Sequence, residues 1–414
     1  MKNVVKRVAL WALAVLGVLA GIAAAAVAYV QIRGIPKYPV QPLVLQVEVT
    51  PARVERGRKL ATLSCINCHA NPTTHQLTGK KLDDAPPAFG PIYSRNITQD
   101  RSHGIGAWTD GDLARMLRTG LRPDGQYVPI YMPKMVHMSD EDLFSVIAFL
   151  RSNDPRVAPS PVDPPDVTHP SLLTKFLSYV AFKPLPYPSH PIVAPPIEDR
   201  VAHGRYLLHT LDCYACHSAD FTKLDVMNPD RSLGYMAGGN TLMDLNQQPI
   251  LSTNLTFDRE TGIGRWSEAD FRRALRDGIR PDRSVIRYPM MPMPVLSDDE
   301  VAALYAYLQT VPIIHNRVKR FGVDRADPDE GKRVYQKYGC ASCHGDNGVG
   351  IADLRRATVH YPKDEQLIAW IKNAPGIKSG TIMPKFDGVV EPHEFPPLVA
   401  YVKKLGQEAE QSRR

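Results

Sequence analysis

The chain of 414 residues has no cysteine to spare. All six fall in three CxxCH units: Cys65, Cys68 and His69; Cys213, Cys216 and His217; Cys340, Cys343 and His344. Each pair is therefore one unit of chemistry, to be explained together with its histidine. Basic clusters are missing as well, and a formal charge of +7 without a patch gives no footprint for nucleic acid. No strand–helix–strand pattern surrounds the cysteine pairs, which removes the setting of a thioredoxin-like redox motif. Zinc takes four ligands from closely approaching pairs, and three well separated pairs do not combine evenly. A plain disulfide leaves all three histidines without a role.

Covalent haem c uses every residue of the motif. Two thiols form thioethers with the vinyl groups, and the adjoining imidazole reaches the iron from one face. Three haem c groups are expected, attached through Cys65, Cys68, Cys213, Cys216, Cys340 and Cys343, with His69, His217 and His344 as proximal ligands. A methionine on the other face saturates the iron and raises its potential. In "GTIMPKF" that residue is Met383. In "IYMPKMVHM" it is Met132, which alone precedes proline, with Met135 behind it. In "YPMMPMP" the proline criterion selects Met291, whereas an ungapped comparison with the first half of the chain selects Met290, and Met293 is a third option. Histidine as second ligand would draw on His75, His103, His137, His203, His209, His315, His360 or His393, none of which recurs at matched positions.

That comparison rests on an internal repeat. "NITQDRSHGIGAWTDGDLARMLRTGLRPD" (Asn96 to Asp124) returns as "NLTFDRETGIGRWSEADFRRALRDGIRPD" (Asn254 to Asp282) at an offset of 158 residues, and "MSDEDLFSVIAFLRS" returns as "LSDDEVAALYAYLQT". In each copy Thr109 or Ser267 caps a helix that Gly120 or Gly278 ends, and Ser139 or Ser297 caps a second. A further helix, from about Ala52 or Asp199, leads into the CxxCH. Trp108 and Trp266 either pack on the haem or cap the helix that follows. Arg118, Arg122, Arg276 and Arg280 are candidates for a forked contact with haem propionates. Asn96 and Asn254 match the N-x-Thr glycosylation pattern, a match that the repeat makes accidental.

The fold expected is all-α: three tandem cytochrome c-like domains with long loops, over residues 45–153, 199–314 and 327–408. They follow an N-terminal transmembrane helix or signal anchor at 1–31. Val8 to Val30 is uncharged for 23 residues, enough to cross a bilayer, and Lys2, Lys6 and Arg7 before it place the N-terminus inside. A cleaved signal at the small residues around Ala26 to Ala28 is the rival reading, and either one exports the CxxCH units. Residues 154–198 are proline-rich and read as an extended linker. Within it "LLTKFLSYVAFKPL" (Leu172 to Leu185) is an apolar insertion that either packs on the adjacent domains or docks on a membrane or partner.

The three CxxCH units, the "GIGxW" and "LRxGxRPD" repeats, the methionine loops and "SDEDLFSVIAFL" together resemble the membrane-bound multihaem cytochrome c subunits of bacterial periplasmic dehydrogenases acting on alcohols, gluconate and sugars. The resemblance covers about residues 45 to 410. It implies a tri-haem electron relay held on the cytoplasmic membrane and facing the periplasm. Electrons would come from a dehydrogenase catalytic subunit and go to quinone or another cytochrome. With saturated irons such a chain is not itself an enzyme. Two alternatives remain: a haem enzyme with one open iron, and a cytochrome subunit of an oxidase or other respiratory complex.

Overall fold

A computed structural model of the chain describes residues 2–245, 247–282, 284–318 and 330–411. The start of the third expected domain, 327–329, lies outside the described residues. The helices are, in order, α1 (Lys2–Arg33), α2 (Pro51–Ser64), α3 (Ile66–His69), α4 (Asp110–Thr119), α5 (Asp140–Leu150), α6 (Leu172–Val180), α7 (Arg200–Thr210), α8 (Cys213–His217), α9 (Glu268–Arg272), α10 (Asp298–Leu308), α11 (Glu330–Lys337), α12 (Ala341–His344), α13 (Ala357–His360), α14 (Asp364–Ile377) and α15 (Phe395–Gln411). Long loops join them. The expectation of an all-α chain needs one correction, a short antiparallel hairpin in which β1 (Thr241–Met243) pairs with β2 (Pro249–Leu251). Its strands are too short to carry a periodic signal.

The capping residues act as the sequence predicts. Thr109 Oγ1 accepts from the Asp112 amide at 3.1 Å while Asp112 accepts from the Thr109 amide at 3.0 Å, and Ser267 with Asp270 repeats the same closed box. Trp108 and Leu113 stand at the staple positions of this box and pack into one core, as Trp266 and Phe271 do in the other copy. Gly120 and Gly278 end these segments with φ of 79° and 76°, which glycine adopts without strain. The second copy departs in one respect: after α9 the turn loosens into a π-helical segment, Arg273–Asp277.

Three helix pairs supply the cores. α2 crosses α5 and α7 crosses α10, and α11 crosses α15 in the same manner. Each crossing is made at a glycine whose Cβ, if present, would run into the opposite backbone: Gly57 against Ser145, Gly204 against Ala303, and Gly331 against Pro397. Leu60 and Phe149 lie in the first core, Leu208 and Leu304 in the second, Tyr335 and Leu398 in the third. Backbone contact at the crossing lets these side chains interlock. The α14 helix, packed on α15, was not foreseen; its apolar residues are interrupted by Asn373 and Pro375, where the backbone kinks.

Residues 154–198 fold back on the first unit rather than linking freely. The Leu77 amide donates to Arg156 O, the Gln99 amide to Val157 O and the His169 amide to Pro91 O. Asn96 is buried and its side-chain amide donates to Ser160 O and Val162 O at 2.8 and 2.9 Å, while Asn254 does the same to Ile314 O. The N-x-Thr pattern is thus an internal brace that holds the chain leaving each unit. The first two units meet through Arg56, which bonds Asp142 at 2.8 and 3.0 Å and Glu300 at 3.3 Å, and through the Tyr206 hydroxyl, which donates to Asp142.

Candidate haem sites

Each CxxCH sits where a helix of the crossing pair ends and a short helical turn begins. α2 delivers Cys65, Cys68 and His69; α7 leads to α8 with Cys213, Cys216 and His217; α11 leads to α12 with Cys343 and His344 just after Cys340. Asp212, directly before Cys213, takes φ of 57°, a left-handed conformation that costs an L-residue about 1 kcal/mol and makes the sharp entry into the motif.

The three histidines are held alike. His69 Nδ1–H donates to Arg95 O at 2.7 Å, His217 Nδ1–H to Thr253 O at 2.9 Å, and His344 Nδ1–H to Ala352 O at 3.2 Å. Arg95 and Thr253 are equivalent positions of the repeat. A proton held on Nδ1 leaves Nε2 as the lone-pair nitrogen, the arrangement a backbone carbonyl imposes on a metal-binding imidazole. Burial pushes all three histidines below their ordinary pKa, against the raising effect of the carbonyls, so they are neutral and able to ligate.

All six cysteines are free thiols. Burial pushes five of them up to about 12, and Cys68 up to about 11. A redox-exchange cysteine requires the opposite, a lowered pKa. Among the described residues no three His, Cys, Asp or Glu side chains converge to hold a metal ion. Buried polar atoms near the motifs also lack hydrogen-bond partners among the described residues: Thr78 Oγ1, Ser218 Oγ beside His217, and Arg122 Nε. Buried thiols in pairs, a neutral imidazole presenting Nε2 and unsatisfied polar atoms around them fit a haem with its propionates.

The methionine loops are in register without a gap. The Val128 amide donates to Gly120 O and the Met135 amide to Leu117 O; the Ile286 amide donates to Gly278 O and the Met293 amide to Leu275 O. All four bonds keep the 158-residue offset, so Met132 corresponds to Met290, Met135 to Met293, and Met291 to Pro133. Met132, Met290 and Met383 are half-buried, while Met291 is fully buried.

Arg118 is corrected by the structure. It is fully buried, donates to Met135 O and Met138 O at 2.6 and 2.5 Å, and bonds Asp140 at 2.8 Å. Arg276 bonds Asp298, the equivalent of Asp140, at 2.6 Å. Arg118 thus braces the methionine loop against the next helix, and Arg276 ties the segment after α9 to the start of α10. Arg280 bonds Val285 O at 2.5 Å, and Arg122 lies 3.8 Å from Asp124 with no hydrogen bond to its buried Nε.

Sequence reasoning missed Lys134 and Asp212. Lys134 Nζ donates to Val128 O, Pro129 O and Met132 O at 2.6–2.7 Å, tying down the loop that carries Met132. Burial pushes it down to about 7 against the pull of Asp212, and burial pushes Asp212 up to about 7. Proline occupies the equivalent position of the second copy, so the repeat gave no signal for Lys134. Most of the other histidines are engaged elsewhere: His103 with Asp163, His137 with Val226 O, His203 with Pro195 O, His209 with Tyr235 and His315 with Asp258. The side chain of His393 lies outside the described residues.

The three motifs converge. Thr62, Leu63 and Asn67 beside the first, Pro292 and Met293 in the loop of the second, and Ile382 beside Met383 line one small cavity. A Cβ on Gly278 would touch the ring of Pro384, next to Met383, and the Cys343 thiol accepts a hydrogen bond from the Tyr288 backbone.

Two stretches of the chain match models of cytochrome c families. Residues 201–312 match the cytochrome c family model, and residues 326–402 match that of subunit III of the cbb3-type cytochrome c oxidase. More particularly, the chain is a homologue of the cytochrome c subunits of dehydrogenases. It is 29% identical over 387 residues to the cytochrome c subunit of quinone-type alcohol dehydrogenase from Gluconobacter oxydans, covering 85% of this chain and 78% of that one. It is 29% identical over 340 residues to the gluconate 2-dehydrogenase cytochrome c subunit of Pantoea cypripedii, covering 76% and 74%. It is 28% identical over 351 residues to the fructose dehydrogenase cytochrome subunit of Gluconobacter japonicus, covering 74% and 68%. By name, these relatives are the cytochrome subunits of dehydrogenases.

Proposed function

We infer that the chain is a tri-haem c-type cytochrome tethered to the cytoplasmic membrane. It would receive electrons from a dehydrogenase catalytic subunit on the periplasmic side and pass them to quinone or another cytochrome. The observation that carries this reading is the threefold recurrence of a CxxCH whose histidine is neutral and anchored through Nδ1, at sites packed against one another. Haem c, when bound, supplies an iron that takes up and releases one electron. The chain does the rest. Cys65 and Cys68, Cys213 and Cys216, and Cys340 and Cys343 would hold the three groups; His69, His217 and His344 would present Nε2, oriented by the carbonyls of Arg95, Thr253 and Ala352.

Met132, Met290 and Met383 are the second ligands favoured by register and exposure. Met290 thereby moves ahead of Met291, which the proline criterion had placed first. Lys134 and Arg118 fix the first methionine loop. A loop held in place keeps the ligand on and water off through the redox change. The helix α1, apolar and long enough from Leu10 to Arg33 to cross a bilayer, supports the tether.

Carbon monoxide added to the reduced holoprotein tests the relay: slow or absent binding at all haems is expected, and rapid binding at one would assign that haem to catalysis instead. A second reading, a cytochrome subunit of an oxidase, is favoured by the match of residues 326–402 to the oxidase model. Purification of the native complex separates the two, since a flavoprotein or quinoprotein partner supports the dehydrogenase reading and an oxidase core overturns it.

A further inference from the structure

The short helix α6 is inside out. Leu172, Leu173, Phe176 and Val180 are 41–59% exposed and fall within about 100° of the helix circumference at 100° per residue. Its opposite face carries Thr174 and Ser178, both fully buried. Thr174 Oγ1 donates to Phe89 O at 2.9 Å and Ser178 Oγ to Thr174 O at 2.8 Å, so the polar face is satisfied inside the protein. A helix on a water-facing surface has the reverse pattern.

Where α6 sits gives the reason. It packs against α1 at the end where that helix leaves its apolar stretch: Tyr179 lies 6.0 Å from Tyr29 ring to ring, and Lys175 Nζ donates to Gln31 Oε1 at 3.0 Å. Arg33 lies over the Tyr29 ring, and Lys183 bonds Tyr179 O, so with Lys175 three cations stand at this junction. Aromatic rings with cationic side chains at the mouth of an apolar helix mark the level of the lipid headgroups.

We propose that α6 lies in the headgroup boundary of the bilayer that α1 crosses, with Leu172, Leu173, Phe176 and Val180 among the upper acyl chains. One helix leaves a haem body free to tilt, whereas a second contact fixes which face of the first unit is turned to the membrane. The proposal rests on the reading of α1 as a membrane anchor, and its test separates the two.

The full-length holoprotein is reconstituted in vesicles of phosphatidylcholine and phosphatidylglycerol containing a phosphatidylcholine with a diazirine high on one acyl chain. After irradiation, lipid adducts are mapped by mass spectrometry. Adducts on both α1 and residues 172–180 are expected. Adducts on α1 alone would overturn the proposal, leave the anchor standing and point to a protein partner for α6. Adducts on neither would overturn both. The double variant Leu173→Glu/Phe176→Glu changes only exposed positions, so haem content and melting temperature should be kept. Its adducts on 172–180 should fall by about tenfold or more while those on α1 persist, as charges replace buried apolar groups. An unchanged yield on 172–180 would show that the apolar face is not what meets the lipid.

Discussion

Replacing Gly204 by alanine isolates the contact that organises the second core. At an exposed helical position this substitution stabilises by about 0.4–1 kcal/mol, because alanine loses less backbone entropy on folding. At Gly204 the new Cβ would lie 2.5 Å from the Ala303 carbonyl carbon, nearer still to its oxygen, and 2.8 Å from Tyr307 Cβ, well inside the 3.4–4 Å of ordinary contact. Two of the three obstacles are backbone, so relief requires α7 and α10 to part by about 1 Å along their whole crossing. Overpacking of this kind costs about 1–3 kcal/mol. Separation also loosens Leu207, Leu208, Leu304 and Leu308, all at most 3% exposed, which places the net loss at about 2–3 kcal/mol. Urea unfolding of the holoprotein, followed in the haem absorbance, measures it. A stability equal to or greater than that of the parent would refute the crossing geometry, since it would mean that the helices do not touch at this glycine.

Four further outcomes are expected. Met290→Leu should lower one haem potential and remove the weak sulfur-to-iron absorption of that haem, while Met291→Leu leaves both in place; the reverse pattern returns the ligand to Met291. Arg118→Ala removes charged donors from Met135 O, Met138 O and Asp140 in a buried position, at a cost of about 3 kcal/mol, and should make the haem facing Met132 accessible to carbon monoxide; unchanged stability would show that the brace is idle. Replacing His209, which bonds Tyr235 at 2.9 Å, should leave all three proximal ligands intact, and loss of a haem ligand signal would contradict its exclusion from the iron. Glu300 should couple pH to the joint between the first two units. Burial raises its pKa, but Lys59, the Ser297 amide and Arg56 outweigh burial and the net shift is downward. A lowered folded value means that the joint contributes fully above the ordinary glutamate pKa of about 4.3 and weakens as pH falls through the lowered value. Acid titration monitored by protease cleavage between the units should therefore show loosening only below about pH 4, and Glu300→Gln should flatten that dependence.

Local chemistry was legible in the sequence and long-range chemistry was not. The CxxCH spacing reflects the size of the macrocycle, and caps such as Thr109 with Asp112 are complete within four residues, so neither needs a distant partner. Gly57, Gly204 and Gly331 precede their motifs by eight or nine residues, yet their significance depends on a helix far along the chain. Arg118 looked like a free guanidinium because its acceptors, Met135 O and Met138 O, are backbone atoms that no side-chain pattern records. The register of the second methionine loop rests on the same kind of information, two backbone hydrogen bonds that hold it without a gap. Lys134 had no counterpart in the repeat, and the apolar insertion at Leu172 could not reveal its outward face until Thr174 and Ser178 were seen to point inward. Each of these depends on a partner that only the fold supplies.

The number of covalent haems per chain tests the central claim most directly. Pyridine haemochrome analysis of the purified full-length protein should give three haem c per polypeptide, and Cys213→Ser/Cys216→Ser should give two. A parent value of two or fewer would contradict the account, because at least one of the anchored CxxCH histidines would then have no iron to hold.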